Sequence, residues 1–304
     1  MSQAWARAVG AINGAVGDYL ARTNNPLATT ATLARAGRRL SVERSALAAE
    51  YPSASPTIVV LLHGLMGSEL DFSGARALDA SADAPDDYGA MLERDLQASA
   101  VYVRYNSGLR LAESSRAASS LLSSLIDAWP VAPERIILIG HSMGALVARG
   151  ACHHAREQGA PWVDRVTNAI YLGGPHQGAP LERAVAWASR WLAVVPEPTT
   201  RLIADVASVR SEGIRDLGQP ELPGPLDPAI RHLFVASTLA KAPLVSDLLG
   251  DVLVPVPSAL DGARGAVRAP HVEVKLFDGI SHLGLAHSQA VYDTLKNFLT
   301  EASP

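Results

Sequence analysis

One cysteine, Cys152, occurs among the 304 residues, which excludes a disulfide framework and a cysteine zinc site. Long apolar runs are also missing. Stretches such as Ile58–Leu62 and Ile136–Ile139 are strand-sized, whereas a membrane span needs roughly 18 residues. There is no basic excess either: 26 Lys+Arg face 30 Asp+Glu, a net charge of −4, which argues against a nucleic-acid partner. No Gly-x-Gly-x-x-Gly and no Gly-x-x-x-x-Gly-Lys-Ser/Thr is present, so nucleotide cradles have no support. No His-Glu-x-x-His occurs, and the adjacent His153 and His154 fall on different helix faces, a poor metal pair. Residues Met1–Arg7 show no basic stretch followed by a continuous apolar segment, so no secretory signal is expected and the expected compartment is the cytoplasm.

What is there is a chain that is 48 % apolar, enough to bury a sizeable core. Residues 1–52 are Ala- and Arg-rich and read as an N-terminal helical extension, with two helices broken near Thr23–Pro26. Beyond Pro52-Ser53-Ala54-Ser55-Pro56 the pattern changes, and 53–304 reads as the main domain. Strands are expected at Thr57–Leu62, Ala100–Arg104, Arg135–Ile139, Ala169–Leu172, His232–Ala236 and His271–Phe277. Helices are expected at Glu113–Trp129, Met143–Gln158 and Ser288–Thr300. Strands apolar on both faces, separated by helices, predict an α/β fold: a doubly wound, mostly parallel sheet covered on both sides. Residues 181–230 interrupt this rhythm with a helical stripe that includes Trp187 and Trp191, followed by a proline-rich stretch. The tryptophans either pack against the sheet or line a substrate cleft under a helical cap.

The strongest local signal is Arg135-Ile136-Ile137-Leu138-Ile139-Gly140-His141-Ser142-Met143-Gly144. A buried strand runs through Gly-x-Ser-x-Gly straight into a helix former. Ser142 on such a tight turn would project its hydroxyl above the sheet, and Gly140 and Gly144 would let the turn close. The helix N-terminus at Met143 would offer unpaired N–H groups beside any negative charge that develops there.

This constellation resembles the α/β-hydrolase family, and within it the serine lipases and esterases, over roughly residues 57–300. The resemblance implies a Ser-His-Asp triad, an acyl-enzyme intermediate and no cofactor. Thr57–Gly67 resembles the family's third strand and its His-Gly loop, so the N–H groups of Leu65 and Met143 would form the oxyanion hole. Of nine histidines, His282 in Ser281-His282-Leu283-Gly284 is similar to the family's base, with His287 as rival. The acid would follow the seventh strand. Gly250-Asp251-x-x-Val254-Pro255 looks like the family's acid loop and favours Asp251, with Asp278 as competitor. Gly173-Gly174-Pro175-His176-x-Gly178 resembles a segment that lines the top of such sites, with His176 organising the loop rather than reacting. Met66, His141, Trp187 and Trp191 are candidate substrate contacts.

The implied activity is hydrolysis of a small-molecule ester or lipid with an apolar acyl group. An acyltransferase, a thioesterase or other non-ester chemistry on the same fold is the alternative, and a binding module with a dead site is a further one.

Overall fold

The structure is a computed structural model that describes residues 3–72, 87–176, 211–218, 224–238 and 269–301. An eight-stranded sheet forms the middle layer. Its strands are β1 (Thr32–Arg35), β2 (Arg38–Leu40), β3 (Thr57–Leu62), β4 (Ser99–Arg104), β5 (Arg135–His141), β6 (Val166–Leu172), β7 (Arg231–Thr238) and β8 (Val272–Asp278). The spatial order is β2-β1-β4-β3-β5-β6-β7-β8. All pairs from β4 to β8 are parallel, while β1 runs antiparallel to both β2 and β4. This is the expected doubly wound, mostly parallel α/β sheet.

The helices are α1 (Gln3–Arg22), α2 (Arg44–Glu50), α3 (Tyr88–Leu96), α4 (Leu111–Ala128), α5 (Met143–Gln158), α6 (Glu212–Leu217) and α7 (Gln289–Thr300). The alternation of side chains along β5 divides the core in two. Ile136 and Leu138 join the apolar cluster shared with α4 and α5. Ile137 and Ile139 join the cluster shared with α3 and α7. Both faces of the strand are therefore dry, and a continuous apolar run is the required sequence. In α4 the buried positions Leu111, Ser114, Ser115, Ala118, Leu121, Leu122 and Leu125 recur every three or four residues, so one stripe meets the sheet. Helix α5 ends at Gly159, whose φ of +64° permits the closing turn in which the Ala160 N–H reaches the Ala155 carbonyl at 2.9 Å.

Two features differ from the sequence expectation. The second half of residues 1–52 is not one long helix. It forms the β1–β2 hairpin and then the short α2, and the hairpin extends the sheet beyond β4. Its turn, Ala36-Gly37, has both φ values positive at +50° and +85°, as a two-residue hairpin turn requires. Alanine is an uncommon choice there, which hid the signal. A buried ion pair clasps the hairpin: Arg104 donates to Glu69, and the Gly37 N–H donates to the same carboxylate at 2.9 Å. Helix α3 is the second difference, an element the sequence pattern did not single out. Within 181–230, the structure describes α6, capped by the Ser211 hydroxyl, and residues 224–230; the proposed cap stripe with Trp187 and Trp191 lies outside the described residues.

Candidate active site

Strand β5 delivers Ser142 at the carboxyl edge of the sheet, between the last strand residue, His141, and the first residue of α5, Met143. Ser142 has φ +54° and ψ −123°, a conformation that costs an L-residue on the order of 1–3 kcal/mol and persists only where the surroundings enforce it. Those surroundings are visible. The Ser142 N–H donates to the Leu172 carbonyl of β6 at 2.8 Å. A Cβ at Gly140 would lie 2.5 Å from the Ala145 backbone, and one at Gly144 would lie 2.5 Å from the His63 carbonyl oxygen. Both glycines are therefore demanded by close backbone approach, as the sequence reading expects.

The loop after β3 faces this turn. A Cβ on Gly64 would sit 3.1 Å from the Ser142 Cβ, so the loop passes directly beside the serine. His63 is buried and organises the loop. Its Nε2 accepts from the Tyr105 N–H at 3.2 Å, so its proton is on Nδ1, which donates to the Gly64 carbonyl at 2.8 Å. The His63 ring stacks on Tyr105 at 4.4 Å between centroids, and burial pushes its pKa down to about 4. Leu65, Met66 and Met143 are all buried. The Met66 N–H is taken by the Ser107 hydroxyl at 3.0 Å. Among the described residues the N–H groups of Leu65 and Met143 have no acceptor.

His282 lies between β8 and a 3₁₀ turn at Leu283–Ala286. It is buried, and its imidazole reaches within 3.0 Å of where a Cβ on Gly173 would stand. Gly173 follows Leu172, the residue that receives the Ser142 N–H, so serine and histidine lie on either side of the end of β6. The His282 carbonyl accepts from His141 Nε2 at 3.0 Å, and the two rings are 5.0 Å apart. Burial, and then the neighbouring His141, hold the His282 pKa well below the usual value, so the ring is neutral. The His141 pKa falls to about 4, first through burial. Among the described residues no hydrogen bond joins the Ser142 hydroxyl to His282. The turn after His282 is anchored by Tyr88 of α3, whose hydroxyl donates to the carbonyls of Leu285 at 3.1 Å and Ser288 at 2.7 Å.

His287, the rival base, sits at the end of that turn as a capping residue, its N–H on the Gly284 carbonyl at 3.0 Å. His176 is buried edge-on against Tyr171 and Phe234, its pKa pushed far down by burial, in keeping with a structural role in the loop after β6. Cys152 is buried on α5 and its thiol is pushed up to about 12, the behaviour of a small apolar side chain. Asp278 is exposed at the end of β8. Asp251 lies outside the described residues. Two contributors escaped the sequence reading: Ser107 in the loop after β4 and Tyr88 on α3. Each acts through hydrogen bonds from or to a backbone brought near by the fold, one for Ser107 and two for Tyr88, and nothing in the local sequence marks that. Among the described residues no group of three or more metal-ligating side chains occurs, and no helix is long and apolar enough to cross a membrane.

Residues 55–205 match the family model described as a PGAP1-like alpha/beta domain. An alpha/beta hydrolase fold protein from Chitinophaga pinensis superposes with a TM-score of 0.50 at 10 % identity, covering 82 % of this chain and 91 % of that one. The esterase Pf2001 of Pyrococcus furiosus aligns with a TM-score of 0.48 at 15 % identity, covering 81 % of this chain and 79 % of that one. The mature lipase BlEst2 of Bacillus licheniformis aligns with a TM-score of 0.48 at 16 % identity, covering 82 % and 94 %. No curated protein matches the chain in sequence.

Proposed function

We propose that this chain, which has the α/β-hydrolase fold, is a serine carboxylester hydrolase. The observation that carries the reading is Ser142 held at φ +54° on a strand-to-helix turn, with the neutral His282 packed across the end of β6 from it. Glycine would hold φ +54° without strain, so a serine kept there points to a use for its hydroxyl. A buried neutral imidazole is in the form that can accept a proton.

In this reading the Ser142 oxygen attacks the ester carbonyl while His282 takes the hydroxyl proton. The carbonyl oxygen becomes an anion. The N–H groups of Leu65 and Met143 receive it, a contribution supported by their lack of any other acceptor among the described residues. His282 returns the proton to the leaving alcohol, and water activated by His282 then releases the acid. Asp251 orients His282 and stabilises its charged form, a role that rests on the sequence resemblance. The apolar stretch 181–230 and Leu65-Met66 favour a medium-chain or otherwise apolar acyl group, with Met66, His141, Trp187 and Trp191 as its candidate contacts. Acyl transfer to an acceptor other than water uses the same first half-reaction.

A p-nitrophenyl ester series from acetate to palmitate tests the proposal, with Ser142→Ala as control. Hydrolysis by the native chain and none by the variant is expected. An inert native chain that a fluorophosphonate also fails to label would overturn it.

A further inference from the structure

Helix α1 lies against the loop that follows β3, and it does so through glycines. A Cβ on Gly14 would lie 2.6 Å from both the Met66 Cα and its nitrogen; one on Gly10 would lie 3.1 Å from the Gly67 carbonyl carbon; one on Gly17 would lie 2.6 Å from the Asn106 Cγ. The contact is reinforced at each end. The Ser211 hydroxyl donates to the Gly14 carbonyl at 2.7 Å, and the Asn106 amide donates to the Gly17 carbonyl at 2.9 Å. The helix departs from regular geometry between these two acceptors, at Val16 with φ −141° and ψ 20°. Asn13 fastens α1 to the segment behind it: its amide donates to the Leu27 carbonyl at 2.8 Å, and its oxygen accepts the Thr29 N–H at 2.8 Å. Asn13, Asn106 and Ser211 are all buried.

What α1 presses on is Met66, a non-glycine residue at φ +60°. Its N–H is fixed by the hydroxyl of Ser107, a residue adjacent to Asn106 and itself buried. An unclamped loop would let Met66 relax to negative φ, and that rotation carries the Leu65–Met66 peptide, and with it the aim of the Leu65 N–H. We infer that α1 and Ser107 together are a clamp that sets the oxyanion loop: Ser107 occupies the Met66 donor, α1 blocks relaxation of Met66, and the Leu65 N–H is left aimed at the serine. Ser107, Gly14 and Ser211 are thus positioning residues. The inference rests on the hydrolase reading above and assigns the N-terminal helix a part in it.

The test is the full-length Ser107→Ala variant, assayed with p-nitrophenyl butyrate, with phenylboronic acid as a probe of the tetrahedral state. Partial loss of one oxyanion donor predicts a fall in kcat of about tenfold to a hundredfold, with KM within about twofold. The inhibition constant of phenylboronic acid rises in step with the fall in kcat. Ser211→Ala, which frees the Gly14 carbonyl of α1 and also removes the cap of α6, changes the same two quantities in the same direction by a smaller factor, and it supplies the reading should Ser107→Ala not fold. The inference is overturned if either folded variant loses thermal stability yet keeps its native kcat and boronate affinity, since the contact then only holds the fold together. A native chain that neither turns over the ester nor reacts with a fluorophosphonate removes the hydrolase reading and the clamp with it; an active native chain with unaffected variants removes the clamp alone.

Discussion

The serine and the histidine stand at the ends of two strands that could hardly be less alike. Strand β5 is central, flanked by β3 and β6, with six of its seven residues buried. Strand β8 is the edge, with a single buried residue and Leu276 half exposed. The difference follows from what each residue must do. Ser142 holds a strained backbone, and strain persists only where neighbours over-determine it. Here those neighbours are β6 through the Leu172 carbonyl, the loop after β3 and the start of α5. His282 has ordinary helical angles of φ −53° and ψ −45°. It needs only to be carried to the right place and kept dry. An edge strand suffices for that, provided that Tyr88 and the end of β6 fix the turn that follows.

The sharpest break in this comparison is chemical. Ser142→Ala and His282→Ala each lower kcat by several orders of magnitude, on the order of a million-fold where a triad acts as a unit, with unchanged circular dichroism. If His287→Ala shows the greater loss, the base is misassigned; if Asp278→Asn costs more than Asp251→Asn, the acid is.

Stability separates the two ends next. Gly144→Ala forces a Cβ into the carbonyls of Leu62 and His63 and costs about 3 kcal/mol or more. Gly279→Ala, at the end of β8, has φ +77° but nothing within 4 Å, so it costs only the backbone strain, about 1 kcal/mol. Urea denaturation of both variants checks the ratio; equal losses would mean that the elbow is no more constrained than the edge.

The pH dependence of stability comes next. His63, His141 and His232 all have folded pKa values near 4 because burial disfavours their charge, against about 6.5 unfolded. Between those values the unfolded chain binds more protons, so stability is full above about pH 6.5 and declines as pH falls towards 4, by up to about 1.4 kcal/mol per pH unit for each histidine. Buried Asp71, raised to about 7 by burial, acts in the opposite direction over an overlapping range. Buried His176 and His282 are lowered in the same way, and Asp87 is raised like Asp71; the lowered histidines outnumber the raised carboxyls, which leaves a net loss on acidification. Thermal melts from pH 7.5 to 4.5 measure it, and a flat profile would contradict the burial of these rings.

The same contrast recurs within the strands, and its edge side carries the smallest effect. Leu138→Ala in β5 costs about 3 kcal/mol, whereas Leu276→Thr in β8 changes stability by no more than about 0.5 kcal/mol.

The sequence alone determined the elements whose signals are local. Strand β3 and helix α5 begin and end where the pattern puts them, because an apolar run on both faces and a helix former after Gly-x-Ser-x-Gly admit few alternatives. Gly140 and Gly144 were legible for the same reason: only glycine fits where backbone meets backbone. The hairpin at Thr32–Leu40 was not, since its single buried pair, Leu33 and Ala34, is too short a pattern and its turn uses alanine. Nor was the seating of α1 on Met66, the hold of Ser107 on the Met66 N–H, or the hold of Tyr88 on the turn after His282. Residue types at fixed spacing report what a backbone does next to itself. Contacts between segments dozens of residues apart depend on which loops the finished sheet brings to the same edge, and only the tertiary structure decides that.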